Sequence, residues 1–572
     1  MSHVSDFPAV AHSAPAHDNG LRFVQPEVSA GLPLRLTVKQ LTTFFVGLGI
    51  TVRLIRYLAG FPLWADEYQL SANLLDRGFL ELLQPLGHNQ VAPVGFLWVE
   101  HAMTRLFGFS EWSLRLFPAV CGVASVLLFR KVAGRLLSGV PLLLAVAIFA
   151  VAYYPIRHSA EIKPYASDAF LSLLLFWLTV NWWRSPDQTR WLLWLAAAAP
   201  LALALSFPAA FVAGGLSLGI ASTLWQRRRL GESHKAAWAW VVFNLAVALA
   251  FFGLLQLNIA AQYAVTQHDM VACWDDGFPP WRQPLRLFAW LAIVHTSEMF
   301  SYPVGAENGG SFVTFVCFAV ALAVMFRRPR REVALTVVGW FGLSLIAAAM
   351  HRYPYGAHAR LSQYLAPAIC LLAGSGAALL LAQLRRREWQ AVGVRLVLLG
   401  CVLLGAGTLV RNIAKPYHDL ADRDHRDFAR RLWAETPDEL TVCLQTDLGL
   451  RAYDRSFETA YLCHHRIYAP AKRREGPSIG EQIAAADRQL RCVVVHSVSA
   501  QRNETVFEGW MLEMLSRYDL VQTETQRMPL TAKNHALYDF YVMQYDVYHF
   551  HPKASGGSVD QLAGAQATVP AR

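Results

Sequence analysis

The stretch FPLWADEYQL, residues 61–70, decides how this sequence is read. It follows an apolar run of about 22 residues, enough to cross a bilayer, which takes about 20. Two carboxylates, Asp66 and Glu67, therefore stand where a membrane span ends. Such a pair either solvates the end of a helix or does chemistry at the membrane surface.

The composition supports the span. Of 572 residues, 54% are hydrophobic and 16% charged, with a mean hydropathy of +0.29. Soluble chains carry about 25% charge. Apolar runs of spanning length recur from residue 37 to residue 411, so the chain reads as an all-α polytopic membrane protein. The net charge of +10 is then the basic excess that holds cytoplasmic loops inside, and no nucleic-acid partner is expected. Residues 1–36 are Ala/Pro/His/Ser-rich and read as a disordered cytoplasmic tail rather than a signal peptide.

Five basic clusters fix the topology: FRKVAGR (129–135), RSPDQTR (184–190), QRRRLGESHK (226–235), RRPRR (327–331) and RRR (385–387). If all are cytoplasmic, each interval between them must hold an even number of spans, and each holds two apolar runs. Residues 91–107 are the exception. Glu100, His101 and Arg105 interrupt that run, and mid-bilayer charges are costly, so it reads as an interfacial amphipathic helix. The count is then eleven spans, with the N-terminus inside and residues 412–572 outside.

On this topology the acidic pair, RHSAEIKPYASD (157–168), the loop 259–310 and HRYPYGAHARLSQ (351–363) share the outer face. Asp66 or Glu67, part-shielded from water, would suit a general base. Asp168, with Glu161, is a second acidic element, although Asp168 would serve equally as a helix N-cap. Arg352, His358, Arg360 and Lys163 stand outside against the positive-inside bias, where they would either snorkel to headgroups or neutralise a phosphate. CHH (463–465) is a weak metal pattern, and CWDDG (273–277) reads as a solvated turn. The eight cysteines form no CxxC pair; Cys443, Cys463 and Cys492 lie in the outer polar region, where two of them could pair.

Three stretches together carry a resemblance: WADEYQLSANLLDRGFLELLQPLGHNQVAPVGFLWVEHAMTRLFGFSEWSLRLFPAVCG, SAEIKPYASD and YPYGAHARLSQYLAP. Over residues 40–385 the chain resembles GT-C membrane glycosyltransferases, specifically the dolichyl-phosphate-mannose-protein mannosyltransferase-like group that includes relatives of bacterial aminoarabinose transferases. The resemblance implies a multi-pass protein of the bacterial inner membrane. It would move a sugar, with inversion, from a polyprenyl-phosphate donor to a lipid, glycan or protein acceptor on the periplasmic face. It implies Asp66 as base or acceptor-orienting group, Glu67 as its neighbour and Asp168 as the second acid. Arg360, Lys163, His88 and Arg352 become candidates for the donor phosphate, and Glu161, Tyr165, Gln90 and Tyr355 for substrate contact. Where aminoarabinose-type members carry a first-loop lysine, this chain reads GHNQVAP (87–93), so the donor sugar does not follow. The scheme demands no metal or other cofactor and leaves divalent-metal dependence open.

Beyond the GT-C domain at 37–411, residues 412–551 carry short β-like runs and read as a small periplasmic α/β domain, and 552–572 as a disordered tail. Two rival readings are a transporter or flippase of lipid-linked saccharides and an inactive envelope scaffold. A transporter would be expected to carry charges at mid-membrane, whereas here they gather at one face.

Overall fold

A computed structural model describes residues 36–87, 89–229, 234–305, 309–327, 331–418, 420–434, 440–445, 489–497, 504–529 and 542–553. His88 and the CHH stretch fall outside the described residues, as does Cys463, and with it part of the cysteine pairing. The fold is a helical bundle with a small C-terminal sheet.

Helix α1 (Val38–Leu58) opens at Thr37, whose hydroxyl accepts from the Gln40 amide while the Gln40 side chain returns to the Thr37 amide, a reciprocal cap. After a turn at Gly60 (φ +56°) the quoted stretch starts α2 (Ala65–Asp76). Asp66 and Glu67 sit in its first turn, where the helix dipole favours negative charge. There follow α3 (Val94–Phe107), α4 (Ser113–Leu136), α5 (Gly139–Val151), α6 (Tyr153–His158), α7 (Tyr165–Arg184), α8 (Arg190–Leu205), α9 (Ala209–Arg229) and α10 (His234–Leu254). Then come α11 (Ala260–Cys273), α12 (Pro284–Thr296), α13 (Gly310–Phe326), α14 (Arg331–Ala349), α15 (Ala366–Ala382) and α16 (Arg387–Ala414).

A helix occupies every interval expected to span. Among the described residues, seven helices are long and apolar enough to cross a membrane by themselves; α5, α8 and α13 are shorter apolar helices. Two expectations change. Helix α3 does lie where an interfacial helix was expected, but it buries Glu100 and His101 instead of exposing them. Its Gly95 packs so closely on the Ala204 carbonyl of α8 that no side chain would fit between. The segment read from the sequence as an outer loop also carries helix, because α10 runs through a π-turn at Leu255–Ile259 into α11. That turn aims Asn258 and Gln262 at the α2–α3 connection, where Asn258 donates to the Leu83 carbonyl (2.8 Å) and Gln262 accepts from the Ala92 amide (3.2 Å).

Small residues let the bundle close. Gly374 and Gly376 of α15 lie against Ala145 of α5 and the Cys317 carbonyl of α13, the close approach that drives helix association where lipid competes with no hydrophobic effect.

Beyond α16, α17 (Leu420–Ala434) and α18 (Glu504–Arg517) accompany a four-stranded sheet of β1 (Leu440–Gln445), β2 (Leu490–Ser497), β3 (Tyr518–Pro529) and β4 (Val542–Pro552). Its order is β1-β2-β4-β3, with β1 and β2 parallel and the other pairs antiparallel. One apolar core runs through the bundle. A second joins Leu63, Leu70 and Leu74 around α2 to Phe428, Leu432, Val493, Tyr545 and Val547 of the C-terminal domain.

Candidate active site

The two carboxylates of the quoted stretch face different partners. Asp66 Oδ2 accepts from Arg360 Nη1 at 2.6 Å, and both side chains are part-exposed (28% and 16%), so solvent reaches the pair. Burial raises the Asp66 carboxyl, but the Lys163 ammonium and the Arg360 guanidinium outweigh it and the net shift is downward.

Glu67 points inward. Arg115, at the start of α4, grips it with Nε at 2.8 Å and Nη2 at 2.5 Å, a two-point fork. The Ile162 amide donates to the same carboxylate at 2.9 Å and the Trp64 amide at 3.3 Å. The Arg115 guanidinium also donates to the Phe61 and Pro62 carbonyls. Glu67 is fully engaged in holding the α1–α2 turn to α4 and to the segment before α7.

That segment supplies the second layer. Lys163 is buried and its Nζ donates to Gln90 Oε1 at 2.6 Å, while Gln90 Nε2 donates to Gln69 Oε1 at 2.8 Å. Burial lowers the Lys163 ammonium, with Asp66 acting the other way. Glu161 accepts from Arg157 Nε and pairs with His158 Nδ1, both at 2.7 Å. Tyr165 lies edge-on to His158, ring centroids 5.0 Å apart. Asp168 sits in the first turn of α7, 4% exposed, with Pro164 rather than Asp168 at the N-cap. Its Oδ1 has no hydrogen-bond partner among the described residues, and it takes no part in the ion pair at Asp66.

Trp64, the residue before α2, organises the cations. Arg157 and Arg360 lie over its ring at 5.7 and 5.5 Å, and Arg360 also lies 4.6 Å from Trp274. Trp64 Nε1 and Arg360 Nε are buried donors without a partner among the described residues. His358 adds no charge here, since burial and then the Arg360 guanidinium push it down to about 2.

The structure therefore brings Asp66, Arg360, Lys163, Glu161, Tyr165 and Gln90 near one another. It does not bring Arg352 there, since that guanidinium lies exposed over Tyr263 of α11 at 4.4 Å. Nor does it bring Tyr355, whose hydroxyl meets His295 Nε2 at 2.9 Å in an aromatic cluster. Sequence reasoning passed over Trp64, Arg115, Arg157 and Trp274. The two arginines carried a usable signal, because the topology read from the sequence puts both on the outer side, against the positive-inside bias. Among the described residues, no three His, Cys, Asp or Glu side chains converge as metal ligands.

Glu161 makes the layer sensitive to acid. Burial pushes its carboxyl up, but Arg157 and His158 outweigh that and hold it well below the ordinary carboxylate range. A depressed carboxyl stabilises the fold above its unfolded value of about 4.3 and stops doing so as pH falls through the folded one. The melting temperature should hold from pH 8 to about 5 and fall in stronger acid, and Glu161→Gln should start lower and flatten that fall. An identical acid limb in Glu161→Gln would remove this carboxylate from the stability of the fold.

Residues 91–252 match the family model described as dolichyl-phosphate-mannose-protein mannosyltransferase. That match takes in under a third of the chain and says what residues 91–252 are similar to; among the described residues, seven helices are long and apolar enough to cross a membrane. No curated protein sequence matches it. Among solved structures, ArnT from Cupriavidus metallidurans bound to undecaprenyl phosphate shares 14% identity at a TM-score of 0.48, over 88% of this chain and 97% of that one. The oligosaccharyltransferase AglB from Archaeoglobus fulgidus, in complex with an inhibitory peptide and a dolichol-phosphate, shares 11% at a TM-score of 0.44, over 78% and 69%.

Proposed function

We propose that this enzyme transfers a sugar from a polyprenyl-phosphate donor to a hydroxyl of a lipid, glycan or protein acceptor, on the periplasmic face of a bacterial inner membrane and with inversion. The observation that carries the reading is the pair of Asp66 and Arg360. They lie 294 residues apart in sequence and meet at 2.6 Å in a part-open site. Arg360 and Arg157 flank Trp64, and the unpartnered Arg360 Nε and Trp64 Nε1 are donors suited to a phosphate.

In this scheme the arriving phosphate draws the guanidinium from Asp66. The released carboxylate then orients the acceptor hydroxyl and takes its proton. The acceptor oxygen forms the new bond to the anomeric carbon from the face opposite the phosphate, and the carbon–oxygen bond to phosphate breaks. The electron pair leaves on the polyprenyl phosphate, held by Arg360 and Arg157. Lys163, anchored by Gln90, keeps positive potential beside the carboxylate.

The test is lipid mass spectrometry on membranes from cells lacking the gene, complemented with wild type or with Asp66→Asn. A polyprenyl-phosphate sugar should accumulate and a glycosylated product disappear in both the deletion and the variant. Full product with Asp66→Asn would end this assignment.

A further inference from the structure

The last domain of the chain is built into its first outer helix. We propose that Glu111, Arg426 and Arg430 are positioning residues for Asp66, acting through α2. The inference rests on the role given to Asp66 above.

Glu111 is 5% exposed, in the turn between α3 and α4. Arg430 of α17 donates to its Oε2 at 2.5 Å, and Arg426 Nη1 lies 3.8 Å from its Oε1. The same Arg426 donates to the Gly60 carbonyl at 2.8 Å, at the turn that launches the stretch leading to Asp66. The linker entering α17 adds His418, whose ring stacks on Trp64 at 6.3 Å and 21°. From below, Leu63, Leu70 and Leu74 share one core with Phe428, Ala429 and Leu432 of α17 and with Tyr545 and Val547 of β4. His425 of α17 meets the Tyr545 hydroxyl at 3.2 Å, tying helix to strand.

Helix α2 is thus held at its N-terminus and along its underside by residues more than 300 positions later. The turn before it is also held by Arg115, which donates to the Phe61 and Pro62 carbonyls, and by Arg157 and Arg360 over the Trp64 ring. Asp66 has one productive place, within hydrogen-bond reach of Arg360, and a displacement of about 1 Å there costs about a hundredfold in rate.

Glu111→Ala, Arg430→Gln and Arg430→Lys are compared with wild type and Asp66→Asn, all as full chains. Product formed per folded enzyme is read by lipid mass spectrometry in membranes supplying their own lipid-linked sugars. Undecaprenyl phosphate is the binding probe, read as thermal stabilisation of the purified protein. Glu111→Ala should lose at least tenfold in product while its response to undecaprenyl phosphate stays within twofold of wild type, and Arg430→Lys should keep most of the activity. If Glu111→Ala does not survive extraction, Arg430→Gln is read by the same criteria. Wild-type turnover in the decisive variant while Asp66→Asn is inactive would overturn the clamp alone. Loss of turnover together with loss of probe binding would also overturn it, as general disruption. Wild-type turnover in Asp66→Asn would overturn the role of Asp66 instead.

Discussion

Asp66→Asn should slow transfer by about 10²- to 10⁴-fold, the range for losing a general base, and yet bind undecaprenyl phosphate at least as tightly as wild type. The two effects have opposite signs for one reason. In the resting site the carboxylate neutralises Arg360 at 2.6 Å, so it competes with any phosphate for that guanidinium. Asparagine keeps the shape and removes the competitor together with the base. Arg360→Ala should weaken both binding and turnover, because it removes the cation from both states. Turnover per enzyme and thermal stabilisation by the lipid phosphate, measured on the same preparations, separate the cases. If Asp66→Asn binds the lipid more weakly than wild type, the carboxylate organises the phosphate site rather than competing with it.

The other large effect concerns folding. Glu67→Ala or Arg115→Ala strands a charge in a dry setting, since the two side chains are 1% and 3% exposed. Breaking a buried pair from one side costs about 3–5 kcal/mol, a large share of a total stability of about 5–15 kcal/mol. Each single variant should give little monodisperse protein after detergent extraction, read by size-exclusion chromatography. Glu67→Leu combined with Arg115→Met should recover part of the yield, because apolar replacement of both partners avoids the stranded charge. Recovery stays partial because Arg115 also serves the Phe61 and Pro62 carbonyls. Single variants that extract like wild type would show that the fork does not hold this turn.

These two residues also mark what was legible in the sequence. Adjacent carboxylates at a span end read as one acidic pair, but on a helix neighbours point about 100° apart, and only three-dimensional packing decides which one meets solvent. Arg360 could be flagged because the topology read from the sequence puts its charge against the positive-inside bias. That it meets Asp66 could not, since nothing local encodes a contact 294 residues long. The helices were visible because a bilayer demands a long apolar run for each. Helix α3 was harder, because Glu100 and His101 looked like polar-face residues until neighbouring helices covered them. The cluster at Trp64 was hidden because tryptophan at a membrane surface already has an ordinary explanation in the interfacial belt.

The core shared by α2 and the C-terminal domain bears on how the protein is made. Asp66 leaves the ribosome early, and every candidate span among the described residues has followed by residue 414. Tyr545 and Val547, which pack in the same core as Leu63, Leu70 and Leu74, are synthesised more than a hundred residues later. A nascent chain halted before β4 would hold every candidate span among the described residues and the whole acidic pair, while the floor beneath α2 still lacked Tyr545 and Val547. Insertion into the membrane and completion of the core beneath α2 are therefore separate events in the life of this chain, and the second waits for β4.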